Sequence, residues 1–257
     1  MTPFPRALPV FLSVVLLTLL IPGCVKFKHA LTIKPDGSGK VEITIGMSDT
    51  VLAHQGDDGK ELIDLDELVD QENRGFVAFT APESWAEGGF TFYRVVGYFE
   101  DIERVVIEGD DDPEADGPVV TTFDFDADAG TLAVSRCLLQ QVAMEVKAIG
   151  ADDPSQQALV GAMLSGMEIE ESITVPGDIG DAGPFESTGD TASGKIDEEA
   201  LLGENGDAMT IWRDSGEVIV SYEPADWEDA DRDAWLTEVA EAKAAWEAIK
   251  ASGMLVP

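Results

Sequence analysis

The sequence predicts an α+β domain: an antiparallel sheet of hairpins packed by several helices, closed by a C-terminal amphipathic helix. Three observations predict it. Runs rich in β-branched and aromatic residues come in adjacent pairs with turn sequences between them. Apolar residues at helical spacing occupy separate segments. The resulting order, β–β–α–β–β–β–β–α–α–β–β–β–α, sets hairpins side by side, which favours antiparallel pairing. No internal repeat of about 20–50 residues suggests a solenoid instead.

Residues 25–34 and 40–47 read as two strands around Pro35-Asp36-Gly37-Ser38-Gly39, a turn that supplies positive φ. Ser48 or Asp49 caps a short helix through His54, broken by Gly56-Asp57-Asp58-Gly59. A helix over 60–73 sets Leu62, Leu65, Leu68 and Val69 on one face and stops at Gly75. Strands are expected at 76–81 and 89–98, with Phe90, Phe92, Tyr98 and Phe99 packing sheet or core. Residues 108–117 read as an acidic loop, and 119–125 with 131–134 as a hairpin. A helix over 136–149 follows, carrying Leu138, Val142, Val146 and Ile149, and Pro154 starts another that reaches about residue 165. A strand over 167–175 ends at Pro176-Gly177, and 178–194, rich in Gly, Ser, Thr and Asp, reads as an exposed loop. Residues 208–212 and 217–222 form a last hairpin, and 226–251 a helix between Asp226 and Gly253.

The chain has 257 residues, 44% of them hydrophobic, which is enough to build a core. Its 51 acids against 16 Lys and Arg give a formal charge of −35. That excludes nucleic acid as a partner, because phosphate contacts need clustered cations, and it disfavours electrostatic docking on an anionic membrane face. A surface so acidic keeps a protein soluble at high salt and points to a saline source.

Residues 1–23 read as an export signal with one positive charge, Arg6, ahead of the apolar stretch 7–21. Leu20-Ile21-Pro22-Gly23-Cys24 resembles the bacterial lipobox, in which an aliphatic and a small residue precede a cysteine that becomes lipid-modified. A thiol is readily alkylated, and cleavage before Cys24 frees an amine for a further acyl chain. The apolar run is shorter than the roughly 20 residues of a spanning helix, and two or more acyl chains anchor stably. The expected organisation is therefore a signal peptide over 1–23, an extracytoplasmic α+β domain over 24–222 and an acidic amphipathic helix over 223–257. The expected location is bacterial and membrane-anchored, at the outer membrane and periplasm or the cell surface. Cys137 is the other cysteine and reads as a buried structural thiol.

Three features together look like the LppM-type bacterial lipoproteins over about residues 24–222. They are the lipobox followed by a strand and the 35–39 turn, the run FTFYRVVGYFED over 90–101, and Ile173-Thr174-Val175-Pro176-Gly177 with Trp212 further on. The resemblance implies a lipid-anchored envelope domain that binds lipid or glycolipid. An acidic helix stands where some members have a transmembrane segment, so no binding residue carries over by position.

Candidate chemistry is sparse. Gly189-Asp190-Thr191-Ala192-Ser193-Gly194-Lys195-Ile196 matches most of a phosphate-binding loop, but Ile196 stands where the magnesium-holding hydroxyl belongs. Asp112, Glu114 and Asp116, with Gly117, place oxygens like the start of a calcium loop, yet Phe123 stands where its bidentate Glu should be. A solvated acidic loop is the default reading there, with calcium its rival. The spaced acids Asp124, Asp126 and Asp128 carry the same ambiguity. His29 and His54 fit no metal spacing, and no nucleophile elbow occurs. Trp235, Val239, Ala242, Trp246 and Ile249 form a narrow apolar seam on the last helix. It packs on the chain's own sheet or, alternatively, docks a partner helix. The reading is a non-catalytic, lipid-anchored envelope protein that binds an envelope lipid or protein. Its rivals are an assembly module working through the last helix and an envelope polysaccharide hydrolase.

Overall fold

The computed structural model describes residues 25–55, 65–112, 117–148, 166–197, 200, 211–212, 214 and 216–253. The export signal, Cys24 and the helix expected over 154–165 lie outside them. In chain order come β1 (Val25–Ile33), β2 (Gly39–Ser48), α1 (Asp49–Gln55), α2 (Leu65–Gln71), β3 (Phe76–Phe79), β4 (Glu83–Glu87) and β5 (Phe90–Phe99). Then follow β6 (Ile107–Asp112), β7 (Gly117–Asp126), β8 (Thr131–Ser135), α3 (Leu138–Ala148) and β9 (Glu168–Thr174). The chain continues through β10 (Gly177–Asp181), β11 (Glu186–Thr188), β12 (Thr191–Asp197), β13 (Val218–Pro224) and α4 (Asp229–Ser252).

The architecture is α+β, as predicted, but with two sheets instead of one. The larger runs β11-β12-β9-β1-β2-β5-β3, with β4 also on β5; the smaller runs β10-β13-β8-β7-β6. Among the described residues all pairings are antiparallel except β1 with β9, where Lys26 stands opposite Glu168 and His29 opposite Glu171. Strand alternation fills the interior from both sheets: Leu31, Ile33, Val41 and Ile173 from the larger, Leu132, Val134, Val218 and Val220 from the smaller, in one continuous cluster.

The first hairpin turns where the sequence requires. Gly37 has φ +80°, and Asp36 Oδ1 accepts from Ser38 N at 3.0 Å and Ser38 Oγ at 2.6 Å. The same turn receives α4, because Trp235 Nε1 donates to Ser38 Oγ at 2.9 Å. Further along α4, buried Trp246 meets Phe79 edge-on at 5.4 Å and donates to Glu72 Oε1 at 2.7 Å. Lys40 and Tyr98 both hold Glu238, at 2.6 and 3.1 Å. Burial, and then Glu238, push the Tyr98 phenol up to about 12.

Three local expectations are corrected. Residues 178–194 are not a loop but hold β10, β11 and most of β12. Ala192 and Ile196 point inward with Gly194 between them, and so small an inward set hides the strand period. The acidic run from 108 begins as an edge strand, β6, since a backbone ladder to β7 forms whatever the side chains, and charge on an edge strand deters further pairing. Ile211 and Trp212 are helical instead of extended, so β13 finds its partners in β8 and β10. Trp212 is buried against Phe185.

Candidate functional site

Two titratable residues occupy inward positions of the larger sheet. On β1, His29 lies between buried Phe27 and Leu31; on β9, Glu171 lies between buried Ile169 and Ile173. The parallel register brings His29 and Glu171 side by side, and β12 sets Gly194 next to Glu171. A Cβ on Gly194 would come within 2.6 Å of both Leu139 Cδ1 and Trp212 Cζ2, so the missing side chain is what lets these two close over the strand.

Glu171 is a helix cap supplied from another element. Its Oε1 accepts from Leu138 N at 3.2 Å and its Oε2 from Leu139 N at 3.1 Å. Those are two amides of the first turn of α3, which has no acid of its own there. A carboxylate at that position satisfies orphan donors and complements the helix dipole. The turn into α3 is held further by Gln140, which accepts from Cys137 N at 2.8 Å and donates to the Gly216 carbonyl. Arg136 is, among the described residues, the one non-glycine with positive φ (54°). Its carbonyl is fixed by Thr121 Oγ1 at 2.7 Å and Gln141 Nε2 at 2.9 Å.

His29 is different. Its side chain is 10% exposed, its Nδ1 lies 3.5 Å from Glu171 Oε1, and neither ring nitrogen has a hydrogen-bond partner among the described residues. An imidazole offers two polar nitrogens, and leaving both unpaired in a buried place is costly unless a ligand or water meets them.

A cleft of about 590 Å³ opens beside this pair. Lys28, Glu170, Lys195 and Glu186 give it charge, Thr44, Ser172 and Ser193 hydroxyls, and Trp212 and Ile211 an apolar wall. Lys28 pairs with Glu170 at 2.7 Å, while Lys26 and Lys195 each stand 3.5 Å from Glu168. Against the upward push of burial, those two cations hold the Glu168 carboxyl below its ordinary value. The lining sets charges of both signs and hydroxyls against an apolar wall, a combination suited to an amphipathic group.

Cys137 is buried beside Glu171, and burial and then that carboxylate push its thiol well up. As expected, it is a packed thiol. The seam of Trp235, Val239, Trp246 and Ile249 is corrected as a partner surface: Trp235 and Trp246 are buried, and Val239 and Ile249 pack against the chain's own core. The phosphate-loop match lies on a turn and on β12, with its Lys195 inside the strand. Asp112 ends β6, while Glu114 and Asp116 lie outside the described residues, as does Cys24. Asp126 Oδ1 caps a turn by accepting from Ala129 N at 2.8 Å. Among the described residues no three His, Cys, Asp or Glu side chains converge to hold a metal ion, and no helix is long and apolar enough to cross a membrane. The sequence reading missed Glu171; its signal was an acid at an inward position of an otherwise apolar alternation.

No family model and no curated protein matches the chain. Among solved structures it shows a weak likeness to the folded domain of the LppM protein of Mycobacterium tuberculosis, determined by NMR. The identity is 9% and the TM-score 0.40, over 80% of this chain and 92% of that one.

Proposed function

We propose that this chain is a lipid-anchored, non-catalytic binding protein of the bacterial cell envelope, with the cleft beside His29 as its ligand site. The observation that carries the ligand site is His29 itself, buried beside the cleft with both ring nitrogens unpartnered. The charged and hydroxyl groups of the lining suit the headgroup or sugar portion of an envelope lipid, or a peptide segment, with Trp212 and Ile211 as its apolar contact. A non-catalytic role is supported by the use of the neighbouring groups. Both carboxylate oxygens of Glu171 are taken by backbone amides, and the Cys137 thiol is held protonated.

The anchor reading rests on Cys24 in its lipobox. Val25, the next residue, already opens β1, so no linker separates anchor from fold. His29 lies five residues on from Cys24, about 17 Å along an extended strand. The cleft is thus expected within reach of lipid headgroups.

The test has two arms. Metabolic labelling with an alkyne fatty acid should mark the chain and fail to mark Cys24→Ser. The intact lipidated protein, released in mild detergent, should retain a co-purifying envelope molecule by native mass spectrometry, and His29→Phe should lose it. Labelling that survives Cys24→Ser overturns the anchor, and a ligand complement unchanged in His29→Phe overturns the site.

A further inference from the structure

One patch of the larger sheet is left uncovered by the described residues. Phe90 and Phe92 of β5 and Trp85 of β4 lie together, with Trp85 stacked on Phe92 at 5.2 Å and Phe90 at 6.0 Å from Phe92. Every residue of β4 is exposed, and Trp85 keeps 39% of its surface open. Gly46 makes the arrangement fit: a Cβ there would meet Phe92 Cε1 at 2.5 Å, so the Phe92 ring lies flat across β2 toward Lys26. The Lys26 ammonium stands 5.3 Å from the Phe90 ring centre.

The patch has a definite place in the sheet. Val25, Met47, Thr91 and Ala86 form one cross-strand row at the end where β1 begins. Three strand steps span that row, about 14 Å. Cys24 precedes Val25 by one Cα step, roughly 3.8 Å. Phe92 and Trp85 lie one row further in, opposite Gly46; Phe90 lies one row nearer the anchor end, opposite Ser48. The aromatic cluster therefore lies at the end of the sheet where β1 begins, two to three strands across from Val25.

We propose that Trp85, Phe90 and Phe92 lie in the headgroup layer of the bilayer that holds the acyl chains of Cys24, as a second contact that fixes the domain's tilt. This rests on the reading of Cys24 as lipid-modified. Aromatic rings with Trp among them are the side chains that favour the membrane–water boundary. Arg94 pairs with Glu83 at 2.6 Å and with Glu42 at 3.6 Å, so one cation offsets one of the acids beside the patch. The attraction is one of apolar burial, so it needs no anionic lipid.

The experiment uses the full lipidated chain in phosphatidylcholine vesicles carrying lipid brominated near the glycerol, with tryptophan quenching compared between the parent and Trp85→Phe. Intact mass spectrometry first establishes the state of Cys24. The expected result is a quenched component in the parent that is lost in Trp85→Phe, with the same outcome in vesicles containing phosphatidylglycerol. A lipidated chain whose Trp85 is not quenched overturns the inference and leaves the anchor standing. An unmodified Cys24 overturns the anchor reading and the inference with it. Protection of Trp85 in the absence of vesicles, with the mass of a dimer, overturns the inference in favour of a second copy. Trp85 is exposed enough that the Phe variant keeps its fold, as far-UV dichroism checks.

Discussion

Replacing Glu171 with Gln removes one acceptor and one charge without changing the volume at the site. The carboxylate accepts from Leu138 N and Leu139 N with separate oxygens. An amide has one carbonyl oxygen and turns its NH2 toward the other donor, so one buried N–H loses its partner. That costs about 1–3 kcal/mol. Losing a negative charge at the start of α3 adds roughly 0.3–2 kcal/mol. Relief from holding a buried charge offsets part of the sum, and the net expectation is a loss of about 2–3 kcal/mol. At about 2–4 °C per kcal/mol for a domain of this size, that is a fall in Tm of roughly 4–12 °C. Urea denaturation followed by circular dichroism measures the loss, and hydrogen exchange should show faster exchange at Leu138 and Leu139 alone among the α3 amides. A variant within about 0.5 kcal/mol of the parent, or a more stable one, refutes the assignment of Glu171 as a structural cap. In that case the carboxylate would be kept for a ligand.

Gly194→Ala should cost about 1–3 kcal/mol, because its Cβ collides with Leu139 and Trp212, and the change in thermal midpoint measures it. Trp246→Ala should lose about 3–5 kcal/mol and Trp246→Phe only about 1 kcal/mol, the hydrogen bond to Glu72; equal losses would show that the ring does not dock α4. Docking of α4 should weaken in acid. Against burial, which raises them, Lys250 and Trp246 hold Glu72 low, and Lys40 and Tyr98 hold Glu238 low. A carboxyl lowered in the folded state contributes stability above its unfolded value, here 4.5, and that contribution is lost as pH falls through the lowered folded value. Tryptophan fluorescence during acid titration should therefore change below pH 4.5 and remain flat above it. The charge of −35 predicts rising stability with added salt, and a melting point equal in dilute buffer and molar salt would sink the saline reading.

The sequence made the first hairpin, the strand over 167–175 and the last helix legible because each pairs a clear period with a clear stop. Pro35-Asp36-Gly37-Ser38-Gly39 fixes a turn on its own, and Gly253 ends α4 with φ +65°. It hid β10 to β12 because Gly, Ser and Ala carry little hydrophobic contrast even when, like Ala192, they are fully buried. On α3 the periodicity chose Leu138, while the more buried residue is Leu139, since the helix is rotated to meet Gly194 from another strand. The seam of α4 was visible, but what it faced was decided by Phe79, Tyr98 and Ser38, which lie far away in sequence. The same distance concealed the site. His29 and Glu171 become neighbours only through the one parallel pairing, and no local pattern encodes that.

That parallel pairing also sets an order of assembly. A ribosome releases β1 first; β2 can zip onto one side of it through a short turn, and β5 later adds to β2. The other side waits for β9, with Lys26 and Glu168 separated by 142 positions. Contacts of such range are slow to form, and a waiting strand edge is a template for intermolecular pairing. For more than half the time of its synthesis the nascent chain carries a bare edge along Phe27, His29 and Leu31. On the proposed lipid anchor at Cys24, a bilayer tether ahead of β1 would keep such edges from meeting one another in solution, acting as a guard on folding as well as an address.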